Sequence, residues 1–246
     1  MPPNRQILQT WGDFACFSPP AAKAERFSYA VPTPSAVRGI FDAIYCKPAE
    51  FRWQVTRIEI LEPVRYIALR RNEVKETIST RAVRQWMTGK AEPEPIMADA
   101  DESYWGTDKR GRTQRQTMAL KDVRYRLHAT IRPWPGYEER LPALEAQFRR
   151  RASHGKSVWQ PYFGCREFPA YFRLIEPQER VDPPQPLKLD LGWMLYDVFD
   201  LSRPGTSHDA PAISVFRAEV ERGVLQVPPY ESPEVRKADE EEVTDA

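Results

Sequence analysis

The stretch from Leu120 to Arg132 leaves the chain little choice. Val123, Tyr125, Leu127, Ala129 and Ile131 alternate there with Arg124, Arg126, His128 and Thr130. Alternation of this length specifies an extended strand with one apolar and one polar face, here read as half-buried, and such a strand needs sheet neighbours and a covering layer. The residues from Phe27 to Pro48 supply that layer. Thr33 can cap the orphan amides of a helix start, and Pro34 fits the first helical position because its missing N–H costs nothing there. Val37, Ile40, Phe41 and Ile44 follow at i, i+3, i+4 and i+7, and Pro48 closes the run, so a helix is predicted from about Pro34 to Tyr45. Tyr45 and Lys47 emerge together at its exit, where a phenol and an ammonium either mark a plain boundary or face a phosphate.

The other periodic segments fall around these two. Gln6 to Phe17 and Phe51 to Val64 read as strands on either side of the first helix. A second helix from Tyr137 to about Ala152 carries Leu141, Leu144 and Phe148 as its stripe, and Tyr162 to Leu174 returns to strand character. The order is β-α-β, insertion, β-α-β, which is the split βαβ or ferredoxin-like arrangement of an α+β domain over residues 1–182. The insertion, 65–117, holds a strand-like Arg65 to Val74 and a short helix near Ser79 to Met87, and reads as a long hairpin-like element. Residues 183–230 predict a small all-β region, with a strand from Leu189 to Phe199 and a hairpin from Ile213 to Val227 that turns at Arg222-Gly223.

Charge is unevenly spread. The formal net charge is +1, but residues 231–246 hold seven acids and two bases, which leaves a body of net +6. That tail lacks apolar periodicity and is expected to be disordered. With 24 prolines against 11 glycines the connections are rigid turns. Cys16, Cys46 and Cys165 have neither metal-ligand spacing nor the number for a disulfide framework. The N-terminus has no signal-peptide pattern and no apolar run is long enough for a membrane span, so a cytoplasmic protein with no membrane partner is expected. No phosphate-binding glycine loop, zinc-protease motif or Cys-x-x-Cys occurs, and no cofactor or metal is called for.

Arginine beside aromatic and amide residues does recur. Lys109, Arg110, Arg112, Arg115, Lys121, Arg124 and Arg126 stand against Asp108 and Asp122, and Arg149-Arg150-Arg151 with His154 and Lys156 closes the second helix. Each cluster alone can be a solvated face; two of them flanking one strand favour a groove that tracks phosphates. Arg166-Glu167 between aromatic residues reads as a buried structural ion pair, and Gly164 as a close backbone approach to a neighbouring strand or a ribose-phosphate chain. Most of the seven tryptophans are expected in the core.

Together, Gly12 to Phe17, Phe27 to Pro48, Arg70 to Val74, Gln114-Arg115-Gln116 with Leu120 to Ala129, Gly164 to Ala170 and Asp190 to Asp197 resemble the type I-C (Dvulg) subtype of the fifth CRISPR-associated protein family, in the RAMP superfamily. The resemblance covers nearly the whole chain up to the acidic tail. It implies an endoribonuclease that cuts CRISPR precursor RNA at the base of the repeat hairpin without a metal. The 2′-hydroxyl would attack the adjacent phosphate, and the protein would stay on the crRNA 5′ handle beside the other subunits of the type I-C surveillance complex. It also implies that Tyr45 is catalytic. The family's Lys-His pair, four to five residues before the helix phenylalanine, falls here on Ala143 and Leu144. His154 and Lys156 first, then Lys47 or an arginine of the 149–151 run, are the expected substitutes, with Lys121, Arg124, Arg126, Arg115, Arg149, Arg150, Arg151 and Arg38 as RNA contacts. A non-catalytic structural RNA-binding subunit and a general nucleic-acid binder that also takes DNA are the alternative readings.

Overall fold

The computed structural model describes residues 4–22, 25–94, 96–97, 103, 106, 111–176, 178–206 and 209–237. It has two compact units, Met1–Ile67 with Met118–Ala246, and Ala68–Thr117. In chain order the elements are β1 (Gln6–Ala15), β2 (Arg26–Phe27), α1 (Pro34–Ile44), β3 (Phe51–Ile60), β4 (Tyr66–Val74), α2 (Thr80–Met87) and β5 (Arg112–Pro133). A 3-10 turn at Glu138–Arg140 then leads into α3 (Leu141–Ser153), followed by β6 (Tyr171–Leu174), β7 (Leu189–Asp197), β8 (Ser214–Glu221), β9 (Val224–Gln226) and β10 (Val235–Lys237). The class is α+β, with a large antiparallel sheet and few helices. No helix among the described residues is long and apolar enough to cross a membrane.

In the larger unit the strand order is β10-β8-β9-β3-β5-β1-β6, with β7 on β8 and β2 on β5. Helix α1 connects β1 to β3 and α3 connects β5 to β6, so each helix crosses over one intervening strand. Registry follows the apolar positions: Leu8 opposes Leu127, and Ile58 opposes Leu127 from the other side. Helix α1 starts as its sequence dictates, with the Thr33 hydroxyl accepting from the Ala36 N–H at 3.2 Å. Its stripe of Val37, Ile40, Phe41 and Ile44 is buried. Phe41 stacks on Phe148 of α3 at 5.6 Å and lies 4.9 Å from Trp53 of β3, while Trp53 meets Phe148 edge-on at 4.7 Å. These three rings lock both helices to the sheet, and cutting Phe148 back to alanine removes about 3–5 kcal/mol.

The smaller unit contains β4, α2 and the leading residues of β5. Ser79 caps α2 through the Ala82 N–H at 3.1 Å, and the Lys75 N–H donates to the Gly111 carbonyl at 2.8 Å.

Several expectations are corrected. Strand β5 is buried on both faces from Tyr125 to Ile131, Arg126, His128 and Thr130 included; there the Arg126 guanidinium donates to the Asp182 carbonyl at 2.6 Å. The strand expected from Tyr162 is confined to β6, preceded by a single Tyr162–Pro169 bridge around a tight turn. Gly164 in that turn has φ +80°, and a Cβ there would fall 1.9 Å from the Cys16 carbonyl oxygen, so its neighbour is protein backbone. Arg166 and Glu167 are exposed, and Glu167 pairs with Arg26 at 3.3 Å. Among the described tryptophans only Trp53 is buried; Trp11, Trp159 and Trp193 are more than a third exposed, and Trp105 lies outside the described residues. The chain also stays ordered beyond residue 231: Val235 is buried and pairs with Phe216, and Arg236 lies 4.4 Å over the Trp193 ring. The acidic residues 238–246, with Lys109 and Arg110 of the basic run, lie outside the described residues.

Candidate active site

Helix α1 delivers Tyr45 to the surface end of the aromatic core. At Tyr45 the backbone turns extended, with φ −153° and ψ 115°. Its N–H donates to the Phe41 carbonyl at 3.0 Å, and its own carbonyl accepts from the Trp53 indole N–H at 2.9 Å. The ring packs on Phe51 at 5.4 Å, leaving the residue 8 % exposed. Backbone and ring are thus fixed before any substrate arrives, as a positioned catalytic group requires.

Three cations and one carboxylate surround this phenol. Lys47 Nζ donates to Glu50 Oε1 at 2.9 Å, and Arg140 lies 2.9 Å from Glu50 Oε2. Lys47 and Arg140 both remain substantially exposed, whereas Glu50 is mostly covered. Burial pushes the Tyr45 phenol up from its ordinary value; Lys47, Arg140 and Arg151 oppose this and Glu50 reinforces it. The phenol is therefore protonated at neutral pH. The bond from Lys47, with the help of Arg140, holds Glu50 below the usual carboxylate range. One anion against three cations leaves an electropositive spot beside a fixed O–H.

The end of α3 completes the arrangement. Arg151 Nε donates to the Ile44 carbonyl at 2.6 Å and the Val158 N–H to the Ala43 carbonyl at 2.6 Å, satisfying two of the carbonyls that α1 leaves orphaned at its C-terminus. Between these anchors α3 stops in a left-handed turn, with Gly155 at φ +63°, its N–H on the Ala152 carbonyl and the Lys156 N–H on the Arg151 carbonyl. That is the Schellman pattern. His154 and Lys156 stand exposed on this loop, tethered at both ends to the helix terminus that bears Tyr45. His154 Nδ1 lies 2.8 Å from the Arg150 carbonyl.

The expected RNA contacts divide sharply. Arg151 joins the Tyr45 cluster, Arg150 is exposed, and Arg149 is paired with Glu176. Lys121 is half exposed, while Arg124 is shared between Glu62 at 2.8 Å and Asp182 at 3.9 Å. Arg126 is buried against Glu59, and Arg38 is clasped by Asp197 and Asp42 at 2.7 Å each, so each guanidinium is already held by carboxylate within the fold. Arg115, in the smaller unit, pairs with Glu73 at 3.4 Å. Arg140 and Glu50 were not legible as site residues. Glu50 could have been found from its i+3 spacing to Lys47; Arg140 reaches the site only because the Trp134 N–H binds the Glu50 carbonyl and its indole binds the Pro48 carbonyl, pinning the end of β5 to the turn after α1.

Comparison with known proteins places this arrangement in context. The sequence model of a family described as CRISPR-associated protein (Cas5), in its Cas5d form, matches residues 7–228. A protein of Mannheimia succiniciproducens named CRISPR pre-crRNA endoribonuclease Cas5d is 39 % identical over 240 residues, covering 95 % of this chain and 99 % of its own length. A Thermus thermophilus protein of the same name is 36 % identical over 248 residues, covering 96 % of each. Among solved structures, a CRISPR-associated protein superposes with a TM-score of 0.61 at 20 % identity, covering 95 % of this chain and 97 % of the other. Protein SMU1763c from Streptococcus mutans superposes at 0.59, also at 20 % identity and with the same coverage. At that identity both attest the fold.

Proposed function

Because the chain belongs to the Cas5d family of CRISPR-associated proteins, we propose that it is an endoribonuclease that processes CRISPR precursor RNA. In this reading it cuts at the base of the repeat hairpin, keeps the 5′ handle, and serves as a subunit of the type I-C surveillance complex in the cytoplasm. The observation that carries the catalytic part is the Tyr45 phenol, fixed at the α1 terminus with Lys47, Arg140 and Arg151 acting on it. The strand order β3-β5-β1-β6 with two crossover helices supports a ferredoxin-like core, with residues 65–117 as its insertion and 183–230 as an added β region.

The chemistry is transfer within the RNA. The 2′-oxygen bonds to the adjacent phosphorus, the bond from phosphorus to the 5′-oxygen breaks, and a 2′,3′-cyclic phosphate and a 5′-hydroxyl result. Held protonated, Tyr45 aims the nucleophile and relays its proton: the 2′-proton moves onto the phenol oxygen as the phenol's own proton moves onto a non-bridging oxygen, which gives it up to restore the donor of the 5′-proton as the cyclic phosphate forms. Lys47, Arg140 and Arg151 balance the charge that grows on the phosphorane. His154 or Lys156, on the anchored loop, protonates the departing 5′-oxygen.

Incubation in EDTA with the cognate repeat RNA, with the same RNA carrying a 2′-deoxy at the scissile nucleotide, and with duplex DNA tests this. Cutting of the first alone is the expected result, and Tyr45→Phe lowers its rate by about 10²- to 10⁴-fold while hairpin affinity holds. Tight hairpin binding without cutting would leave a structural RNA-binding subunit. Equal, steeply salt-dependent binding to every polymer would leave a general nucleic-acid binder. If Tyr45→Phe cuts at the wild-type rate, the site assignment fails while the function stands.

A further inference from the structure

A cavity of about 580 Å³ lies on the other side of the α1 exit, and the reaction described above makes no use of it. Extended backbone at Tyr45 sends successive side chains to opposite sides. Accordingly Cys46 and Pro48 line the cavity, whereas Tyr45 and Lys47 do not. Its walls include Phe51, Trp53, Trp134 and Phe199, and Phe199 is half exposed despite its size. The charged groups around it are matched or overmatched by acids. Arg38 is held by Asp42 and Asp197, Arg203 by Asp200 at 3.3 Å and Asp209 at 3.2 Å, and Arg52 by Glu231. Asp42, Asp200 and Asp209 stay partly exposed on the wall.

Flat aromatic walls on which the three lining arginines, Arg38, Arg52 and Arg203, are each already paired with a carboxylate offer a phosphate little and suit an uncharged planar ring that brings N–H donors. Resting on the function proposed above, we propose that this cavity takes one unpaired nucleobase of the repeat RNA, adjacent to the nucleotide that Tyr45 engages. The base stacks against the half-exposed Phe199 and points its exocyclic amine at the aspartates. Continuity with Tyr45 favours RNA over a protein side chain: Tyr45 and the cavity-lining Cys46 are adjacent residues on opposite sides of one extended segment, so a strand engaged at Tyr45 passes close to the cavity.

The test is equilibrium binding of the full chain to cognate repeat RNA carrying a 2′-deoxy at the scissile nucleotide, with each unpaired nucleotide in turn made abasic. Phe199→Ala is expected to weaken the intact RNA by about 5- to 100-fold, while Phe199→Tyr, which keeps a ring to stack, binds as wild type. One abasic position should weaken the wild-type protein by a similar factor and have no further effect on Phe199→Ala. The proposal is overturned if Phe199→Ala binds intact RNA as tightly as wild type, or if every abasic position acts equally on both proteins. It is equally overturned if Phe199→Ala keeps its RNA affinity but no longer joins the other subunits, which would give the cavity to a protein partner. In each of these cases the wild-type chain still binds the deoxy RNA and cuts unmodified repeat RNA, so the function survives; a wild-type chain that neither binds the one nor cuts the other takes down both.

Discussion

The two ends of β3 carry the same chemistry to opposite purposes. Before the strand, Glu50 holds Lys47 and Arg140; near its far end, Glu59 holds Arg126, His128 at 2.9 Å and Arg57 at 3.0 Å. Each is one carboxylate among several bases. Around Glu50 the cations remain open to water, whereas Glu59, Arg126 and His128 are almost fully enclosed by β5 and the segment after β6. An open cluster can exchange its internal partner for a substrate phosphate. A closed one cannot, since leaving either charge unpaired in the interior costs several kcal/mol. Under the proposed function, burial and not local composition separates the arginines open to a phosphate from those that hold the fold.

The same substitution at both ends breaks the comparison most directly. Glu59→Gln leaves Arg126 buried without its counter-charge and should cost about 3–5 kcal/mol, lowering the melting midpoint by about 10 °C in a chain of this size. Glu50→Gln should leave the midpoint where it is and should not weaken repeat RNA binding, because it removes the one anion beside the candidate phosphate site. Thermal melts and binding isotherms on the two variants decide. Equal destabilisation would show that the Glu50 cluster is structural too, and Lys47 and Arg140 would lose their standing as phosphate partners.

This contrast also marks what the sequence could tell. Local signals were fully written: the Thr33-Pro34 start of α1, the stripe that buries Phe41, the period-two core of β5, the Ser79 cap of α2, and the Arg222-Gly223 turn, where both residues have positive φ. That Tyr45 and Lys47 follow directly on the end of α1 was legible because a helix exit is a local event. What could not be read was anything set by a distant segment. Alternating Arg, Arg, His and Thr read as the open face of a half-buried strand, yet Arg126, His128 and Thr130 are buried, Arg126 holding Glu59 of β3 and the Asp182 carbonyl some sixty positions later. The acids of the tail point to disorder, whereas Val235 pairing with Phe216 and Arg236 over Trp193 extend the sheet to Lys237. Arg140 had no signal at all, since its place depends on Trp134 meeting the turn after α1.

A smaller effect sharpens the closed end. Burial pushes His128 below its ordinary value, with Glu59 opposing, so the ring is neutral at pH 7 and donates to Glu59 through Nε2. Burial also pushes Glu59 up, but the bond from His128 and the charges of Arg126 and Arg57 outweigh it and leave the carboxyl low. Both groups bind protons less readily in the folded chain than in the unfolded one, so stability rises with pH. The His128 share is complete above about pH 6.5 and is lost as pH falls through its lower folded value. Glu59 loses its share only below about pH 4.3. The melting midpoint should therefore start to fall just below pH 6.5, and His128→Gln, which keeps a neutral donor, should delay the fall until the carboxylates titrate. An unchanged profile in that variant would put the pH dependence elsewhere.

The smallest expected effect separates two arginines that look alike in the sequence. Arg140 and Lys47 share one carboxylate, so together they carry a spare positive charge, whereas Arg124 alone is shared by Glu62 and Asp182 and carries none. A spare cation on a phosphate displaces a counterion, and each such contact contributes about 0.7–0.9 to the slope of log affinity against log salt concentration. Arg140→Ala should flatten that slope by about one contact, and Arg124→Ala should leave it unchanged. Titrations of repeat RNA between low and moderate salt would reveal the difference. If Arg124→Ala flattens the slope as much as Arg140→Ala, its two carboxylates release it when RNA arrives, and pairing seen in the free protein is no guide to which cations meet the phosphate chain.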